Sequence, residues 1–250
     1  MTLWRLEWLR LLRTRRWIAL AGVFVFFGFI GPATVRYAQQ IFESLGSSDE
    51  VSVMFPDPIP ADGVASYVAN AMQVGLVVLA VVAAGALCFD GDAAYSVFFR
   101  TRVSSLSRLV VARFGVSAIA GVLAFAAGSM AAWYESAVLL GSVPAREMLL
   151  GTFLCSLYLV FAVAVVAFAS SIVRSKLNTV MLSLAIVILM PILGLIGRLA
   201  QWLPSRLVSA PEMLLSGEAV GDYLRPAAVT VVFSAMLVRL AIAMSSRREI

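Results

Sequence analysis

The 250 residues contain no histidine, a single lysine and only two cysteines. Without histidine there is no histidine-ligated haem, none of the usual zinc sites and no imidazole base. Hydrolases of the serine–histidine or zinc type are thereby excluded. Cys88 and Cys155 each lie in an apolar run, far apart in sequence. They read as small buried hydrophobes, and neither a disulfide framework nor a metal site is suggested. The one lysine, Lys176, is in no GxxxxGK[ST] loop, so the chain has no P-loop for ATP. GxSxG and HExxH are absent as well. No catalytic, cofactor-binding or metal-ligating residue is expected, and the chain is read as non-enzymatic.

Charge is also scarce. Charged residues make up 13% and hydrophobic residues 62% of the chain, against about a quarter and about half in a soluble domain. The mean hydropathy is +0.97. A water-soluble core of this size cannot hide so much apolar surface, so the chain is an integral membrane protein. The middles of its apolar runs are almost free of ionisable groups. Arg113, Glu135, Arg198 and Arg239 fall near run ends, where snorkelling accounts for them. Proton- or ion-coupled transporters usually carry a carboxylate or base inside the membrane. There is no inverted repeat and no polar ring or filter motif either. These absences speak against a self-powered transporter and against a channel.

What is present is a single transmembrane domain over 1–250, all α-helical, with six spans. They are expected at about 17–35, 67–87, 109–132, 148–172, 179–196 and 227–244, each near the 20 or so apolar residues that a helix needs to cross. Residues 1–16 form an interfacial amphipathic helix. Trp4, Trp8, Leu11 and Leu12 share its apolar face, with Glu7, Arg10, Arg13 and Thr14 mostly on the other, and Arg16 closes it. A secretory n-region is the plainer reading of Arg15 and Arg16 ahead of an apolar run, but no small-residue cleavage site follows. The 36–66 segment is acidic and proline-rich and reads as a loop. Ala118, Gly121, Ala124, Gly128 and Ala131 form a small-residue stripe on the third span, read as a packing face. Pro191, Gly194 and Gly197 interrupt the end of the fifth span. The apolar groups in 198–226 suggest short helices dipping into the outer leaflet rather than a free loop.

Six spans put both termini on one side. That side carries thirteen basic residues and the other five, while ten of the fourteen acidic residues lean the opposite way. The positive-inside rule therefore places both termini in the cytoplasm. No basic run interleaved with aromatics lies outside membrane-flanking positions, so nucleic acid is not an expected partner. The basic excess is almost wholly arginine, which hints at a GC-rich bacterial genome and a bacterial inner (plasma) membrane.

The longest cytoplasmic interval is the most informative stretch. Asp90, Gly91 and Asp92 open it, and Tyr95, Val97, Phe98 and Phe99 are too apolar for a solvated loop. Arg100, Arg102, Arg108 and Arg113 close it. It reads either as an amphipathic turn resting on lipid head groups or as a short helix gripped by a cytosolic partner.

At this point the order of parts resembles the type-two ABC permease family of exporters. Residues 6–20, LEWLRLLRTRRWIAL, are similar to that family's elbow helix running into its first span. Residues 99–114, FRTRVSSLSRLVVARF, resemble its loop leading into span three, although Arg102-Val103-Ser104-Ser105 lacks the family's proline. Leu203-Pro204 and the apolar stretch to Gly217 resemble its outer re-entrant region, and Arg247-Arg248-Glu249-Ile250 its basic terminus.

The resemblance implies a non-catalytic permease subunit working as a homo- or heterodimer with two separate cytoplasmic ATPase subunits, which would carry the ATP and magnesium. It implies a coupling helix within 89–108 whose Asp90, Asp92, Tyr95, Phe98, Phe99, Arg100 and Arg102 dock in the ATPase. It implies an elbow helix set by Trp4, Trp8, Leu11, Leu12, Arg13 and Arg16, and a re-entrant region at 198–226. A pathway between protomers would be lined by parts of spans one, two and five. The apolar spans point weakly to a lipid-like, hydrophobic or peptide cargo. A membrane anchor or scaffold subunit of a non-transport complex is the alternative.

Overall fold

Inside a bilayer no water is available to backbone amides, so an apolar run of span length satisfies its own hydrogen bonds as helix. The computed structural model describes residues 3–38, 40–41, 57–88 and 106–247. Among them are six helices long and apolar enough to cross a membrane. These are α2 (Arg16–Arg36), α3 (Pro60–Leu87), α4 (Leu106–Leu139), α5 (Ala145–Ile172), α6 (Lys176–Leu193) and α9 (Leu224–Arg247). The shorter α1 (Leu3–Arg13) precedes them. Between α6 and α9 lie α7 (Gly197–Ala200), a 3-10 turn over Pro204–Val208, α8 (Ala210–Leu215) and a 3-10 turn over Val220–Tyr223. No strand occurs among the described residues. Over the described residues the chain is an all-helical, multi-pass membrane protein.

The helices overrun the expected spans at several ends. The helical segment α3 begins at Pro60, inside the stretch read as a loop. Proline suits a first helical turn, and Asp62 Oδ2 accepts the Ile59 amide at 2.9 Å, capping that turn. A five-residue π-turn, Ala71–Gly75, then interrupts it. Helix α4 runs to Leu139, past the expected end at 132. There, Trp133 Nε1 donates to Val143 O at 3.1 Å and ties the helix to the turn before α5. Helix α6 stops at Leu193, close behind Pro191, and 197–223 is built of short helices and turns.

Helix α5 is the axle of the bundle: 67% of its apolar window is buried, against 22% for α6 and 17% for α9. It packs on α3, α4, α6, α8 and α9. Lipid is as apolar as leucine, so close backbone approach rather than hydrophobicity holds such helices together. The stripe on α4 supplies that approach. A Cβ built on Gly128 would lie 2.5 Å from Phe24 O, and one on Gly28 would strike Gly128 O. Beside this crossing, Phe24 meets Phe125 edge-on at 5.8 Å, and Tyr67 stacks on Phe125 at 5.6 Å. The Tyr67 hydroxyl donates to Phe125 O at 2.9 Å.

Gly128→Val forces the α2 and α4 backbones apart and is expected to lose about 1–3 kcal/mol. Gly22→Ala, with nothing within 4 Å of the new methyl, is expected to be neutral or slightly stabilising. Thermal unfolding of both variants in mild detergent checks the contrast.

Candidate functional site: a polar lock at one end of the bundle

The functional reading depends on how the ends of α3 and α4 are held, since the interval between them carries the expected docking residues. Helix α1 lies against the start of α4 and the end of α3. Its break from α2 is sharp: α1 ends at Arg13, the Thr14 hydroxyl donates to Arg10 O at 2.9 Å, and Arg15 takes the left-handed conformation with φ 54°. For a non-glycine residue that conformation costs about 1–2 kcal/mol, so the docking of α1 must offset it.

The docking is ionic at its centre. Glu7 is buried, and its Oε1 accepts Arg113 Nε at 2.8 Å. Arg113 is only 3% exposed and also donates from Nη1 to Ala86 O at 2.8 Å. Arg10 adds a longer contact to Glu7 at 3.5 Å and donates to Gly85 O at 3.3 Å. The last carbonyls of α3 therefore receive two guanidinium groups, the arrangement that the negative end of a helix dipole favours. Arg16 reaches over Gly85, and the Trp4 ring covers Gly115 on α4, where a side chain would strike it. A cavity of about 20 Å³ remains among Glu7, Thr14, Arg113 and Ser117, roughly the room of one water. Nearby, the Cys88 thiol donates to Arg174 O at 3.0 Å, joining the end of α3 to the α5–α6 turn.

Two sequence expectations need correcting here. Glu7 was assigned to the polar face of α1, away from Trp4, Trp8, Leu11 and Leu12. Instead Glu7 is buried, Trp8 and Leu11 are half-buried, and Leu12 is 48% exposed. A partner arginine on α4 draws Glu7 inward, although Trp4 and Thr14, on the same helical line, stay exposed. Arg113 was expected to snorkel; it points to Glu7 and the α3 terminus instead. Arg13 is exposed, and Arg16 is exposed apart from its cover over Gly85. Asp90, Asp92, Tyr95, Phe98, Phe99, Arg100 and Arg102 lie outside the described residues.

Both cysteines are buried, and neither forms a disulfide among the described residues. Among the described residues no three acidic or cysteine side chains gather as metal ligands would. Fold and site together define a membrane protein with six helices, among the described residues, long and apolar enough to span, and with its first helix clamped to the roots of the α3–α4 interval. No protein-family model matches the chain, and no curated protein matches it in sequence.

Glu7→Gln leaves Arg113 buried beside a neutral amide, and a loss of about 3–5 kcal/mol is expected. Arg10→Gln, at the exposed partner, should cost no more than about 1 kcal/mol. Adding Arg113→Met to Glu7→Gln should recover at least half of the loss, because no uncompensated charge then remains. A double-mutant cycle on unfolding temperatures reads all three.

Proposed function

We propose that the chain is the non-catalytic permease subunit of an ATP-driven ABC exporter of the type-two class. Two permease chains would form the pathway and two separate cytoplasmic subunits would hydrolyse ATP. The observation that carries this reading is the lock: Arg113 at the root of α4 and Ala86 at the end of α3 share one ionic cluster with Glu7 of α1. Both roots of the 89–105 interval are thus tied to α1, and through α1 to the start of α2. A push on that interval would be passed to α2, α3 and α4 together, as a coupling helix requires, shifting the balance between two bundle states.

The charge bias supports a cytoplasmic location for this end, in a bacterial inner membrane. On this reading α1 is the elbow helix. Phe98 and Phe99 form the apolar knob in the ATPase groove, with Asp90, Asp92, Tyr95, Arg100 and Arg102 fixing its register. The order of parts set out from the sequence supports the class, and on this reading the short helices between α6 and α9 would be the re-entrant region.

Purification in mild detergent or nanodiscs tests the proposal. A P-loop ATPase is expected at one copy per permease chain, and Phe98→Ala with Phe99→Ala should abolish both its retention and its stimulation. A stable complex without any ATPase would overturn the exporter reading in favour of a membrane anchor.

A further inference from the structure

At the end of the bundle away from α1, a lateral groove of about 370 Å³ opens between α3, α5, α6 and the segment that carries α8. Sites for small molecules fall in this size range. Its walls are apolar, with Met72, Val187 and Ile188 among them. Its polar residues are few: Tyr158, Ser205, Ser209 and Glu212. Glu212 stands at the rim, since its neighbour Pro211 packs against Gly151 near the start of α5. Tyr158 lies about 20 Å along the α5 axis from its start, at about 1.5 Å per residue. The groove thus runs from the rim to the mid-depth of the bundle. Met72 belongs to the π-turn of α3, a distortion often found where a helix borders a binding site.

The charge at the rim is uncompensated. Glu212 is half-buried, and among the described residues none offers its carboxylate a hydrogen bond or an ion pair. Burial, and next the nearby Asp62 carboxylate, raise its pKa above the usual carboxylate value. The neighbouring cations are engaged elsewhere. Arg206 faces Glu218 at 3.8 Å and lies over the Tyr223 ring, and Arg225 lies over Trp202. A partly desolvated carboxylate beside a second carboxylate is costly unless a cation joins it.

We propose that this groove binds a lipophilic organic cation, an ammonium or phosphonium, with its charge against Glu212 and its hydrocarbon body along Met72, Val187 and Ile188 towards Tyr158. The proposal does not rest on the exporter reading; on that reading, such a cation would be the cargo.

Binding of tetraphenylphosphonium to the full chain in zwitterionic-lipid nanodiscs is the test. Saturable binding at one site per chain is expected. Glu212→Gln should weaken it at least tenfold, and Ile188→Trp, which fills the groove at a lipid-exposed position while keeping the carboxylate, should also reduce it at least tenfold. Both variants should keep the wild-type unfolding temperature. Absence of saturable binding to the wild-type chain would overturn the proposal, as would equal affinity in Glu212→Gln. Equally strong competition by tetraphenylborate, an anion of the same shape, would do so too. None of these outcomes depends on an ATPase being present.

Discussion

The Glu7–Arg113 ion pair is the constraint on which one whole end of this molecule depends. Two buried charges are expensive to bring out of water, and their attraction repays that only with close geometry and further hydrogen bonds. Both conditions are met: the pair closes at 2.8 Å, and Arg113 has Ala86 O as a second acceptor. The consequence is mechanical. Helix α1 cannot lift from the bundle without stranding a charge on α4, and the end of α3 cannot shift without losing its cap. The left-handed turn at Arg15 is held in place by the same docking.

The other end of the bundle is held by different physics. There the α2–α4 crossing relies on glycine, with backbones nearly touching at Gly28 and Gly128. The Phe24–Phe125–Tyr67 cluster fills the space beside it, and the buried Tyr67 hydroxyl is satisfied by a main-chain carbonyl. Three helices, α2, α6 and α9, remain mostly exposed to their surroundings, α2 although it packs closely along α4. The structure is therefore a tight group, α2 to α5, clamped by α1 at one end and bearing the groove between α3, α5 and α6 towards the other.

Much of this was legible in the sequence, for definite reasons. Run length and hydropathy anticipated an all-helical class with six helices long and apolar enough to span, because a bilayer leaves the backbone little alternative to helix. The stripe from Ala118 to Ala131 announced its packing role, since only small residues at helical spacing allow such contact. Glu7 was not legible: helical periodicity sorts residues by polarity, and a carboxylate buried by a partner 106 residues away breaks that sorting. Arg113 was misjudged for the same reason, as its position near a span end fitted snorkelling equally well. The start of α3 was missed although Pro60 and Asp62 are an ordinary helix-start signal, because the acidic composition around them suggested a loop. Glu212 drew no notice, since a lone carboxylate in a mixed stretch acquires meaning only when the fold sets it at the rim of a groove.

The most direct test of the central claim, that the ion pair fixes α1 to the bundle, is a distance distribution by pulsed electron spin resonance. Spin labels would be placed at exposed Arg5 on α1 and exposed Leu177 on α6, with Cys88 and Cys155 replaced by alanine. The account predicts a narrow, single distribution with Glu7 present, and a broad or shifted one in Glu7→Gln. A distribution that is already broad with Glu7 in place, or one that is unchanged by Glu7→Gln, would contradict it.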